Sequence, residues 1–335
     1  MAAVSRPPSN VTLREIKQNQ AALMSRINEA VYSSSGESIP LIDIGPSLNG
    51  DESARRSVAA HIGKACREIG FFQITNHGVS QQAQAGILEQ AKRFFHELPL
   101  AKKKELHISN SGLFRGWEPS GVSNVNPDDT SKETKEAFNW GYEPKLDPTG
   151  GDGKYVELDL VSYPNGANVW PSEEDLPGFF EKIKEYHGEK PRPATALAKE
   201  TDEIGLGAHT DYECFTLLLS DSNPGLEVLS PTPDAASGRP KWISAPARPN
   251  SLTVNIADFL QRWTNGQFRS TVHRVVNRSP EKERYSVPFF FSVNYDQKVS
   301  TLPTSASDSD SSEAEIQAGP WILERLRATL KQDPE

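Results

Sequence analysis

The chain has 335 residues, 36% of them hydrophobic and 24% charged, with a formal net charge of −9. That is the make-up of a soluble globular protein of one large domain or two modest ones, long enough for a sizeable core. No Lys/Arg block could track a phosphate backbone and no stretch reaches transmembrane length, so neither nucleic acid nor a membrane is expected as a partner.

From the start of the chain, Leu13, Ile16, Leu23, Ile27 and Val31 recur at roughly helical spacing and predict an N-terminal helix over 11–32. Ile39–Ile44 reads as a short strand. Glu52 to Ile69 alternates apolar and charged residues at helical spacing, with Gly70 placed to cap it. Phe71–Thr75 reads as a buried strand closing at Asn76-His77-Gly78, where His77 is expected to serve the turn. A second long helix is predicted over about Ser80 to Leu98, broken by Pro99. The run Lys102-Lys103-Lys104 falls in a mixed-charge helical stretch and is expected to face water. Residues 110–155 are rich in Gly, Pro, Asn and Asp, with aromatic islands at Phe114, Trp117, Phe138, Trp140 and Tyr142; this composition suits a long folded surface segment that could wall a pocket.

Phe179 to His187 opens a helix. Beyond Glu203 the texture changes to short β-branched or aromatic runs between turn signals: Cys214–Leu219, Leu226–Leu229, Lys241–Ser244, Ser251–Asn255, Ser270–Val276 and Tyr285–Asn294. Such spacing predicts a sandwich or barrel rather than βαβ units. Residues 303–314 are acidic and of low complexity, and Trp321–Leu330 predicts a closing helix. Two cysteines, Cys66 and Cys214, are too few for a disulfide framework and fit a reducing compartment. With no apolar leader, the cytoplasm is the expected location and a monomer the expected state.

The chemistry-bearing residues lie in the second half. In His209-Thr-Asp211 an imidazole and a carboxylate two residues apart would share a strand face. Such a triplet arises easily by chance. His273, in the β-branched run Ser270–Val276, changes the reading: two imidazoles and one carboxylate form the set that binds Fe(II) while leaving positions open for other ligands. Arg284 and Ser286 also share a face, and a guanidinium fork beside a hydroxyl suits a carboxylate. Glu281 and Glu283 could instead pair with Arg284 locally.

The arrangement His209-x-Asp211, His273, then Arg284-x-Ser286, resembles the signature of the isopenicillin N synthase-like family of non-haem Fe(II)/2-oxoglutarate-dependent dioxygenases. Glu203–Glu213, Asn255-Ile-Ala-Asp258, Thr264-Asn-Gly266, Val272-His-Arg-Val275 and Arg284–Phe291 are similar to the same family, as are Ile39-Pro-Leu-Ile-Asp43 and Gly70–Gly78 near the start. The resemblance implies a mainly β fold with flanking helices around a double-stranded β-helix, or jelly roll, with the metal inside. It implies Fe(II) on His209, Asp211 and His273, the far carboxylate of 2-oxoglutarate on Arg284 and Ser286, and O2 as oxidant. A small organic substrate would be hydroxylated, desaturated or cyclised, with secondary metabolism the expected setting. Arg115, Trp117, Phe138 and Tyr212 are the expected substrate-pocket residues.

Family members carry a helix and then a core strand, ending in a tyrosine-proline text, before the His-x-Asp strand. Here 188–202 contains two prolines, little β-branched content and no tyrosine, which predicts that one helix and one core strand are missing before residue 203. The expected organisation is therefore an N-terminal helix (1–36), a dioxygenase N-terminal domain (37–155), a shortened connection (156–202), a jelly-roll domain (203–300), and an acidic linker with a C-terminal helix (301–335). Two other readings stay open: an oxidase that does not use 2-oxoglutarate, and a non-catalytic or truncated member of the family.

Overall fold

The computed structural model describes residues 27, 29–32, 38–122, 133–146, 166–188, 194–201, 204–279, 281–305 and 315–329. Most of the predicted N-terminal helix and of the acidic segment 303–314 lies outside these residues.

In chain order the elements are β1 (Val31–Tyr32), β2 (Leu41–Asp43), α1 (Gly45–Asn49), α2 (Glu52–Glu68), β3 (Phe71–Thr75), α3 (Gln81–His96) and α4 (Leu100–Glu105). There follow β4 (Gly116–Glu118), β5 (Glu136–Trp140), α5 (Phe179–Gly188), β6 (Ala194–Glu200), β7 (Leu206–His209), β8 (Phe215–Ser220), β9 (Leu226–Leu229), β10 (Lys241–Ser244) and β11 (Leu252–Ile256). The chain continues through α6 (Asp258–Trp263), β12 (His273–Val275), β13 (Arg284–Phe291), β14 (Lys298–Val299), β15 (Ile316–Gln317) and α7 (Ala318–Thr329).

The helices begin and end where local chemistry directs. Asp51 caps α2 by accepting from the Ala54 amide at 2.9 Å, and Ser80 caps α3 by accepting from Ala83 at 3.1 Å. Gly70 closes α2 in the left-handed region at φ +72°, where a Cβ would fall 2.1 Å from the Arg269 carbonyl oxygen; only glycine fits there. One face of α3 buries Ala83, Ile87, Ala91, Phe94 and Phe95, and Phe94 packs among Phe138 and Phe179. Burying each such phenyl ring contributes roughly 1.5–3 kcal/mol.

Thirteen of the strands form two facing sheets with a jelly-roll core, and β14 pairs with β15 apart from them. One has the order β1-β10-β9-β12-β7, the other β2-β3-β11-β8-β13-β6-β5-β4. A cavity lies between them, since its lining includes His209, Leu226 and His273 from the smaller sheet and Ala137, Thr216, Asn255 and Ser286 from the larger.

Three expectations need correction. The core strand expected to be missing before residue 203 is in place: β6, which follows α5, is a central strand, paired antiparallel with β13 from Arg284↔Glu200 to Phe290↔Ala194 and with β5 from Glu136↔Lys199 to Trp140↔Thr195. Two flanking strands supply its ladder, so tertiary context overrides a weak strand sequence. Both prolines, Pro191 and Pro193, precede the strand and lie outside the described residues. Within 110–155, β4 and β5 are strands of the large sheet rather than parts of a surface segment, and Phe138 and Trp140 are 0% and 1% exposed. Lys103 does not face water: it is buried on Glu136 at 3.0 Å.

Candidate metal centre

His209 ends β7 and His273 begins β12, and the two stand opposite each other in the antiparallel register. Asp211 follows β7 by two residues. Together they form the one cluster of metal-ligating side chains found among the described residues, with one donor atom from each within 4.8 Å of the others. His209 Nε2 lies 3.4 Å from Asp211 Oδ1, and His273 Nε2 lies 3.6 Å from the same oxygen.

Each ligand is held from behind. His209 Nδ1 sits 2.8 Å from the Gly207 carbonyl oxygen and His273 Nδ1 sits 3.1 Å from that of Thr271. A carbonyl can only accept, so both Nδ1 atoms carry hydrogen and both Nε2 lone pairs point to the centre. Asp211 Oδ2 accepts from Asn255 Nδ2 at 2.7 Å and from the Thr216 hydroxyl, which leaves Oδ1 for a metal. The edge of Phe71 packs on the His273 ring at 5.1 Å.

The electrostatics suit a cation. Burial would raise the Asp211 carboxyl, but His273, His209 and Thr216 outweigh it and hold the group well below the usual carboxylate range. Burial and the neighbouring His209 depress His273 to about 4 against the pull of Asp211, so its imidazole is neutral at pH 7, as ligation requires. Two imidazoles and one carboxylate, each with its remaining polar atom occupied, fit a divalent transition metal of the facial-triad kind.

Arg284 and Ser286 open β13 and line the same cavity. Arg284 is 1% exposed; its Nη1 donates to Ser286 Oγ at 3.2 Å and to Glu200 Oε2 at 3.1 Å, while its Nε has no hydrogen-bond partner among the described residues. A buried guanidinium nitrogen without an acceptor is costly, and a ligand carboxylate would satisfy it. Burial pushes the Glu200 carboxyl above the usual range, with Arg284 and Lys135 pulling against it.

The cavity measures about 260 Å³. Of the predicted pocket residues, Arg115 and Tyr212 line it, and the Arg325 guanidinium lies 4.4 Å over the Tyr212 ring. Trp117 and Phe138 do not. Successive strand residues face opposite sides of a sheet. Ala137 and Asn139 of β5, Lys135 just before it and Glu118 of β4 line the cavity, whereas Trp117 donates to Glu136 at 2.7 Å and Phe138 packs under α3. Tyr295, with Ile322 and Leu326 from α7, adds an apolar wall. Sequence reasoning misses Thr216 as a support of Asp211, gives Asn255 no role, and does not foresee Glu200. His77 serves the turn, its Nδ1 accepting from the Val79 amide at 3.1 Å.

Comparison with known proteins agrees with this geometry. Residues 39–173 match the model of the non-haem dioxygenase in morphine synthesis N-terminal domain, and 185–293 match that of the 2OG-Fe(II) oxygenase superfamily. The 2-oxoglutarate-dependent dioxygenase traH of Penicillium crustosum is 30% identical over 321 residues, covering 84% of this chain and 92% of its own. Clavatol oxidase claD of the same organism is 32% identical over 342 residues, covering 87% and 95%. The fold is like that of a full-length Neurospora crassa protein solved in complex with alpha-KG and thymine, at a TM-score of 0.69 and 24% identity over 90% of this chain and 99% of that one.

Proposed function

The chain belongs to the 2OG-Fe(II) oxygenase superfamily and is a 2-oxoglutarate/Fe(II)-dependent dioxygenase acting on a small organic molecule, and from that premise we propose which of its residues do the work. His209, Asp211 and His273 hold Fe(II). Arg284 and Ser286 hold the distal carboxylate of 2-oxoglutarate. Bound together there, Fe(II), 2-oxoglutarate and O2 supply the oxidising power to hydroxylate or desaturate a C–H bond, with succinate and carbon dioxide as co-products. The carrying observation is the convergence of three donor atoms whose partner atoms are all engaged elsewhere.

The protein's own contribution is placement. The paired strands β7 and β12 fix the two imidazoles, Asn255 and Thr216 fix the carboxylate, and the cavity between the two sheets holds the site. Tyr212, Tyr295 and Ile322, with Arg115 among them, favour a compact, largely apolar substrate with at least one polar group. Secondary metabolism is the setting we favour, on the strength of the Penicillium relatives. The buried free thiols of Cys66 and Cys214 support a cytosolic location. No described helix is long and apolar enough to cross a membrane. We keep a monomer as the working state, since the proposed site is complete within one chain.

The test is oxygen uptake by the Fe(II)-loaded enzyme. Uptake should require 2-oxoglutarate and yield succinate. Arg284→Ala should raise the 2-oxoglutarate concentration needed by at least about thirtyfold, the scale of losing a buried charge contact. Uptake that proceeds equally well without 2-oxoglutarate would assign the chain to oxidases that draw every electron from their substrate.

A further inference from the structure

One buried charge of the cavity wall has no part in that chemistry. Glu200, the last residue of β6, is 2% exposed and stands directly opposite Arg284 in the register. Its Oε2 accepts from Arg284 Nη1 at 3.1 Å, and that same nitrogen reaches Ser286 Oγ at 3.2 Å. Glu200 therefore occupies the edge of the guanidinium fork that Ser286 shares, where the two residues together would receive a carboxylate from a ligand.

The local packing makes room for this pair. Gly205 carries no Cβ, and one placed there would fall 2.6 Å from Glu200 Cγ; at Gly225 a Cβ would fall 3.2 Å from Arg284 Cδ. Lys135, the next cation of the wall, is itself paired with Glu118 at 2.9 Å. The charges of Arg284, Glu200, Lys135 and Glu118 cancel, and Asp221 adds negative charge within reach of Glu200. A dianion entering this end of the cavity meets no net positive charge from these groups.

We propose that Glu200 is an internal competitor for the co-substrate clamp, holding Arg284 with its own carboxylate so that a dicarboxylate must displace or crowd it to bind. The proposal rests on Arg284 and Ser286 being that clamp. Two carboxylates sharing one buried guanidinium repel each other where water screens them poorly. A 2-oxo acid without the second carboxylate escapes that repulsion. Glu200 thus sets both the affinity for 2-oxoglutarate and its advantage over monocarboxylate 2-oxo acids.

The test is calorimetric binding to the Mn(II)-loaded protein, a redox-inert stand-in that needs no turnover. The probes are 2-oxoglutarate and 2-oxopentanoate, which has the same chain without the distal carboxylate. Glu200→Gln keeps the size and an acceptor oxygen while removing the charge. It should bind 2-oxoglutarate about tenfold or more tightly than wild type and leave 2-oxopentanoate nearly unchanged. Equal or weaker 2-oxoglutarate binding by the variant, with wild-type binding that Arg284→Ala abolishes, would overturn the competitor and leave the clamp standing. Should the variant fail to fold, the wild-type protein still decides: the two acids should bind within about tenfold of each other. A larger preference for 2-oxoglutarate overturns the proposal. Mn(II) uptake with neither acid bound by either protein would overturn the clamp and its competitor together.

Discussion

Asp211→Ala is expected to lose Fe(II) binding and turnover together. Asp211 supplies the only negative charge among the three proposed ligands, and its Oδ1 is the atom that both imidazole nitrogens approach. Without it only two imidazole nitrogens remain, a set with no carboxylate to hold a hard-to-intermediate divalent ion against water. Metal content after equilibrium dialysis is the direct readout, with thermal unfolding of the metal-free protein beside it to separate a lost ligand from a lost fold. A graded companion strengthens the case. Asn255→Ala removes one of the two bonds that fix Asp211 Oδ2 but no ligand, and should weaken metal binding or activity by about 10–100-fold. An Asp211→Ala protein that retains stoichiometric iron would remove Asp211 from the ligand set.

The second large effect concerns stability rather than chemistry. Glu136 of β5 lies beneath α3 and α4 and takes three bonds: Lys103 Nζ and Lys199 Nζ at 3.0 Å each, and Trp117 Nε1 at 2.7 Å. Burial opposes its charge, yet Lys199, Trp117 and Lys103 together hold its carboxyl below the usual range. Glu136→Ala would leave two largely buried lysines facing an uncompensated hole, and breaking a buried pair from one side costs about 3–5 kcal/mol. Urea unfolding should show a loss of that order. A loss below about 1 kcal/mol, the scale of an exposed ion pair, would mean that water reaches the lysines and the network carries little. Lys199 belongs to β6, so this network ties the least strand-like segment of the sheet to its neighbour and to the helical layer.

That segment shows where sequence reading reaches its limit. The candidate ligands and the proposed clamp can be picked out in the sequence because their spacing is local: a His-x-Asp triplet at a strand end and an Arg-x-Ser pair two apart are expected to share a face. His273 needs only a β-branched context to stand out. The strand 194–200 is not legible, because Ala194-Thr-Ala-Leu-Ala-Lys-Glu200 holds its place through the ladders of β5 and β13 and the Lys199–Glu136 ion pair, all long-range. Trp117 and Phe138 fall on the wrong side of their strands in a sequence reading, since aromatic content says that a residue is buried but not which sheet face it takes, and a shift of one residue reverses the face. Glu200 is invisible for the same reason. Its meaning depends on standing opposite Arg284, and register is a property of the folded sheet.

One measurement tests the metal centre and its clamp most directly: the visible spectrum of the purified protein during anaerobic addition of Fe(II) and then 2-oxoglutarate. The expected result is a charge-transfer band that grows with 2-oxoglutarate up to one equivalent of iron and is absent from Asp211→Ala under the same conditions. Stoichiometric iron binding with no band at saturating 2-oxoglutarate would contradict it, because a metal would then sit at His209, Asp211 and His273 without the co-substrate site that Arg284 and Ser286 are held to form beside it.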